Sequence, residues 1–216
     1  MKFLEKIGIK INNLELLKTA LTHSSYANEY KNVQCYERLE FLGDAILEAI
    51  TSEYFYLNTD LKEGDMTKIR ANYVCEKALA TYAKDLGIDK HILVGHGQLN
   101  NINDTIIADV FEAVLGAIYL DQGYDTAKKY INEIVIPYIN KDIDFNSDYK
   151  TKLQELVQTD RKSVEYVVIS ESGKSNDKIF EVVVKIEGIT YGKGTGRSKK
   201  EAEQMAALEA LRKSAR

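Results

Sequence analysis

The hydrophobic period of this chain changes once, and that change limits what it can fold into. Up to about residue 140, apolar residues recur at spacings of three and four, as in Leu14, Leu17, Leu21 and in Ile106, Val110, Val114, Ala117. That is the period of helices with one buried side. Asn- and Gly-rich stretches such as GHGQLNNIND (95–104) punctuate the helices, and the only proline, Pro137, is expected to kink or end the apolar segment IVIPYI. After NKDIDFNSDY (140–149) the period switches. KTKLQELVQ still reads as a helix, but SVEYVVIS and KIFEVVVKIE alternate, with Phe180, Val182, Val184 and Ile186 on one face. The dipeptide EG turns into ITYGKGTG, and SKKEAEQMAALEALRK closes the chain as a strong helix former. The pattern predicts an all-α domain over 1–143, a linker over 144–148, and a small α+β domain, α-β-β-β-α, over 149–216.

Charge divides at the same place. The whole chain carries 29 Lys and Arg against 33 Asp and Glu, a net −4. Residues 1–145 hold 15 and 22 of these, net −7, and residues 146–216 hold 14 and 11, net +3. An acidic front suits cations and a basic back suits an anionic partner. No apolar run approaches the roughly eighteen residues of a membrane span. MKFLEKIGIK has no apolar stretch of signal-peptide length, so a soluble cytoplasmic protein is expected. The two cysteines, Cys35 and Cys75, belong to no CxxC pair and read as free thiols.

The stretch YERLEFLGDAILEAI (36–50) concentrates the acid. At about 100° per residue, Glu37, Glu40, Asp44 and Glu48 share an arc of roughly 80°, with Leu39, Leu42, Ile46 and Ile50 expected opposite as the core face. Like charges one turn apart cost only a few tenths of a kcal/mol in water, so this helix alone is compatible with a solvated acidic face. A second stretch, ADVFEAVLGAIY (108–119), sets Asp109 and Glu112 one turn apart among Ala108, Ala113, Gly116 and Ala117, which allow close packing. Two such helices, packed together, would form an oxygen-rich cage for a hard cation such as Mg²⁺. No histidine accompanies either stretch, which disfavours zinc and a di-iron centre. Phe41 falls beside the acids and away from the expected core face, so it needs another surface: a neighbouring loop or a second subunit.

ERLEFLGDAIL resembles the nuclease motif of the bacterial ribonuclease III family. The likeness runs through ALTHSSYANE, EGDMTKIRANYVCEKALA, IIADVFEAVLGAIYLDQG and the terminal α-β-β-β-α module, in the family's order. The resemblance implies a Mg²⁺-dependent endoribonuclease, with Mn²⁺ as a possible substitute. Such an enzyme acts as a homodimer and cuts double-stranded RNA to 5′-phosphate and 3′-hydroxyl ends, typically in structured precursors such as rRNA. By the same resemblance Glu40, Asp44, Asp109 and Glu112 are the metal cluster, with Asp44 and Glu112 the central catalytic pair. Glu37 and Glu63 support the same valley, and Phe41 is the dimer-junction aromatic. Glu48 matches no family ligand and reads as a bystander. His23, in a different block, reads as structural. The rival reading, a non-catalytic duplex-RNA-binding scaffold, predicts lost carboxylates, and all four are present.

In the back half, Ser198 and Glu201 form an S-x-x-E capping box, followed by Lys199 and Lys200 in a first turn where the helix dipole disfavours cations. Two lysines there suit an external phosphate. The module resembles a double-stranded-RNA-binding domain, which bridges two minor grooves over about 16 bp. The resemblance implies that Lys193, Arg197, Lys199 and Lys200 contact phosphates, and that Thr151, Gln154 and Gln158 touch 2′-hydroxyls. Two departures stand out. The loop GKSN (173–176) lacks the family's Pro and His, leaving Asn176 as its hydrogen-bonding residue. GHGQLNNIND lacks a GGR-type basic run and carries Gln98 where an acid is common.

Overall fold

The computed structural model describes residues 2–99, 101–145, 149–159, 162–174 and 177–214. The chain divides into two compact units, residues 1–146 and 147–216. Among the described residues the first unit contains α1 (Lys2–Glu5), α2 (Leu14–Ala20), α3 (Ser24–Glu29), α4 (Glu37–Asn58), α5 (Glu63–Tyr73), α6 (Glu76–Leu86), α7 (Asp104–Gln122), α8 (Tyr124–Ile134) and α9 (Ile136–Asn140). The second contains α10 (Tyr149–Thr159), β1 (Val164–Lys174), β2 (Asp177–Ile186), β3 (Ile189–Gly196) and α11 (Lys199–Ser214). The expectations placed on Asn176 and on residues 146–148 of the linker lie outside the described residues. Among the described residues no helix is long and apolar enough to cross a membrane.

The first unit is built around α7. Its apolar residues lie on every side: Ile106, Ile107, Val110, Phe111, Val114, Leu115 and Ile118 are all buried. A helix apolar all round belongs in the middle of a core, and α4, α6, α8 and α2 pack around this one. Asn13 and Asn103 start α2 and α7 by accepting from the N–H of Leu16 and Ile106 at 3.0 and 3.1 Å. Pro137 does break IVIPYI: α8 stops at Ile134, and the proline sits in the first turn of α9, where its missing N–H costs no helix bond.

The crossing of α4 and α7 depends on two glycines. A Cβ on Gly43 would stand 1.8 Å from the Glu112 carbonyl oxygen, and one on Gly116 would stand 2.4 Å from the Leu39 carbonyl oxygen. Backbone therefore rests on backbone in both directions. This contact also turns α4 away from the expected core face. Leu39, Gly43, Leu47 and Ile50 are buried, whereas Leu42 and Ile46 are only half-buried. An apolar wheel assigns the face by side-chain hydrophobicity, and here a residue with no side chain lies at its centre.

The second unit is a three-stranded antiparallel sheet in the order β1-β2-β3. Phe180, Val182, Val184 and Ile186 face its core together with Leu153 and Val157 of α10 and Ala202, Ala206, Ala207 and Ala210 of α11. Glu187 and Gly188 make the β2–β3 turn with φ of 50° and 78°, the left-handed pair that a two-residue hairpin requires. The glycines of ITYGKGTG press α11 onto β3: Cβ atoms on Gly192 and Gly194 would stand 2.2 Å from the backbone of Ala206.

Candidate functional site

The glycine crossing brings the acids of α4 and α7 together. Glu40, Asp109 and Glu112 are half-buried, while Glu37 and Asp44 are exposed. Taking carboxylates out of water favours their neutral form, and each neighbouring carboxylate adds to the effect. Glu112 shows it most strongly: burial first, then Asp44, Glu40, Asp109 and Glu48, push its carboxyl up to about 8. Glu40 is raised by burial and by Asp109, Glu37 and Asp44. Asp109 is raised by burial, against which a hydrogen bond from Tyr36 works. Glu112 thus feels the charge of the other three candidate ligands, and Glu40 that of Asp44 and Asp109.

The donor set fits a hard divalent cation, since it offers oxygens and neither thiolate nor imidazole. Among the described residues no group of three or more His, Cys, Asp or Glu side chains is already drawn in to hold a metal ion. The acids gather charge without forming a closed cage, so an ion held here would require some of them to rotate toward it.

Two further acids have partners of their own. Glu63, at the start of α5, lines a pocket with Ser52, Tyr56, Met66, Thr67 and Arg70, and accepts from the Thr67 hydroxyl at 3.2 Å. Glu48 lies 3.8 Å from Arg70, whose guanidinium also donates to the Ser52 hydroxyl at 2.7 Å. Arg70 was missed in the sequence, because a lone arginine in α5 gives no sign of reaching α4. His23 caps α3, its Nδ1 accepting from the Ser25 N–H at 3.1 Å.

Tyr36 also went unnoticed. It is buried ahead of α4 and donates its phenol O–H to Asp109 Oδ2 at 3.0 Å. The first two residues of GHGQLNNIND are held against α3, with the His96 N–H and Nδ1 at 2.8 and 2.6 Å from the Glu29 carboxylate and the Gly95 N–H donating to the Ser25 hydroxyl at 2.9 Å.

Phe41 is 82% exposed. It borders an open groove of about 1020 Å³, lined also by Leu16, Val33, Cys35, Leu39, Leu42 and Leu120. Leu42, expected in the core, helps to line this groove instead.

In the second unit the capping box forms with a shift. The Glu201 N–H donates to the Ser198 hydroxyl at 3.1 Å, but the Glu201 carboxylate accepts from the N–H of Arg197 at 2.7 Å, one residue before the cap. The chain leading into α11 is therefore fixed, and Arg197, Lys199 and Lys200 are all exposed on it. Lys199 Nζ lies 5.9 Å from the Phe180 ring centroid. Lys193 is paired with Glu181 at 2.5 Å, so a phosphate would compete for it. On α10, Thr151 and Gln158 are exposed and Gln154 is half-buried.

The chain matches the ribonuclease-III-like family over residues 13–139 and the double-stranded RNA binding motif over 149–214. A ribonuclease 3 of onion yellows phytoplasma is 46% identical over 215 residues, covering 98% of this chain and 90% of that one. A ribonuclease 3 of Listeria monocytogenes is 43% identical over 217 residues, covering 97% and 95%. Among solved structures, the nuclease domain of a ribonuclease III from Campylobacter jejuni superimposes with a TM-score of 0.58 at 35% identity, covering 63% of this chain and 95% of that one. That structure is described as showing flexibility in a region involved in dimer formation. Both units are matched, and relatives agree with the chain along nearly its whole length, so it belongs to the ribonuclease III family, the endoribonucleases of double-stranded RNA.

Proposed function

We propose that this chain is a Mg²⁺-dependent endoribonuclease, with Mn²⁺ able to substitute, that acts as a cytoplasmic homodimer. It would cleave both strands of structured precursor RNAs, rRNA among them, to 5′-phosphate and 3′-hydroxyl ends. Its family is metal-dependent. The observation that carries the reading is the crossing of α4 and α7, which sets Glu40 and Asp44 against Asp109 and Glu112 until Glu112 is pushed up to about 8. Glu40, Asp44, Asp109 and Glu112 would hold the metal, with Asp44 and Glu112 most directly engaged and Glu37 and Glu63 supporting RNA and solvent around them. Mg²⁺, when bound, supplies an acidified water and offsets charge on the phosphate in flight.

The side chains do the rest. When ionised, the half-buried Glu40, Asp109 and Glu112 offer acceptors only, so a phosphodiester approaches them only when their charge is compensated. Asp44, exposed on α4, is open to solvent and to substrate. No side-chain nucleophile is required. Phe41 and the groove around it support a second subunit as the missing surface, which would bring one cluster to each strand of a duplex. Lys199 and Lys200, with Arg197 and Lys193, would hold phosphates across the major groove. Thr151, Gln154 and Gln158 would read 2′-hydroxyls, with Asn176 assigned the same task.

The test uses a labelled RNA duplex in Mg²⁺ and in chelator, with the unaltered chain and Glu112→Gln. Cutting of both strands by the unaltered chain in Mg²⁺ alone, with duplex retarded but uncut by Glu112→Gln, is expected. Retardation without cutting by the unaltered chain would leave the scaffold reading in its place. Undiminished cutting by Glu112→Gln would overturn the carboxylate assignment.

A further inference from the structure

Tyr36 joins three parts of the first unit. It is 3% exposed. Its N–H donates to the Thr22 carbonyl at 2.9 Å, and its own carbonyl accepts from the N–H groups of Leu39 and Glu40 at 2.8 and 2.9 Å. Its ring lies 5.7 Å from that of His23. Backbone and ring are therefore held on several sides before the hydroxyl is considered. That hydroxyl then reaches α7 and donates to Asp109 Oδ2 at 3.0 Å, a link across 73 positions of sequence.

We propose that Tyr36 is a positioning residue for metal-dependent cleavage: its O–H fixes the orientation of the Asp109 carboxylate, so that a divalent cation meets preset oxygens. The bond uses one acceptor site of Oδ2 and leaves Oδ1 and the rest of Oδ2 available. Partners of this kind tune affinity through the ligand they orient and need not touch the ion. Because Tyr36 also starts α4 through its carbonyl, one residue ties the Glu40 end of that helix to the Asp109 turn of the other. The inference rests on Asp109 being a metal ligand.

The experiment titrates Mn²⁺ into the full chain without RNA, reading free Mn²⁺ by electron paramagnetic resonance. It compares the unaltered chain, Tyr36→Phe, Asp109→Asn and the double variant. Tyr36→Phe should weaken Mn²⁺ binding about tenfold, in line with the usual effect of losing a ligand's hydrogen-bond partner. The same variant should raise the Mg²⁺ concentration needed for half-maximal duplex cleavage by a similar factor, and excess Mg²⁺ should recover most of the rate. In the Asp109→Asn background, removing the Tyr36 hydroxyl should have no further effect on Mn²⁺ affinity. Unchanged affinity in Tyr36→Phe, or an equal loss in both backgrounds, overturns the proposal. So does a loss of affinity that merely follows a large fall in metal-free melting temperature, since that marks Tyr36 as structural only. If Asp109→Asn alone leaves both Mn²⁺ binding and cleavage intact, the ligand reading itself has failed, a result distinct from the others.

Discussion

The two units use the same device for opposite charges. In the first, Gly43 and Gly116 let α4 and α7 meet backbone to backbone; in the second, Gly192 and Gly194 do the same for β3 and α11. The first contact gathers acids that are partly removed from water, where burial and neighbouring carboxylates raise the affinity of Glu40 and Glu112 for protons. The second presents Arg197, Lys199 and Lys200 to solvent at a helix start, where they repel one another weakly. Concentrated charge is costly to the fold and suits an ion that must be bound tightly and locally. Spread charge costs little and suits a long polyanion that is bound by many weak contacts.

Substitutions can break this contrast. The largest effect is expected from Glu112→Gln, with single-turnover cleavage reduced by about 10³-fold, or ~4 kcal/mol of barrier, while duplex affinity in a gel-shift assay stays the same. Next comes Gly43→Ala. Its methyl would overlap the Glu112 carbonyl, so urea unfolding should show a loss of about 3 kcal/mol, together with loss of cleavage. Gly194→Ala should cost a similar amount, but with loss of duplex binding as its first consequence. The double change Lys199→Ala and Lys200→Ala should weaken duplex binding by about tenfold and lower the slope of log affinity against log salt by about 1–2, with cleavage at saturating RNA nearly unchanged.

A pH dependence of stability should also appear without metal. Glu112 binds its proton more tightly in the folded chain than its ordinary value of 4.5 allows, up to about 8. Between those values the folded state holds more protons than the unfolded one, so stability falls as pH rises through the window. The melting temperature in chelator should decline from pH 5 to pH 8 and then level off, and Glu112→Gln should flatten much of the decline. A decline of equal steepness in that variant would show that the acids of α4 and α7 are not coupled.

Sequence and structure agree where one element settles the matter. The alternation of Phe180, Val182, Val184 and Ile186 marked the inner face of β2, because a strand's two faces follow directly from its period. The acids of α4 and α7 stood out for the same reason. The face that α4 turns to the core did not, because Gly43 contributes contact without hydrophobicity. Tyr36 and Arg70 were equally hidden, since their partners lie 73 positions away and 18–22 positions away respectively. Glu63 stands with Arg70 and Ser52 in this structure, a neighbourhood that depends on how α5 packs and not on any local pattern.

The Gly43–Glu112 contact also works as a ruler. Two backbones already touching cannot move closer, and no side chain lies between them to be exchanged for a longer or shorter one. The spacing between the acid pairs is therefore set by the width of the peptide chain itself. Core residues around the crossing can change size and leave that spacing intact, whereas a single methyl at either glycine must alter it.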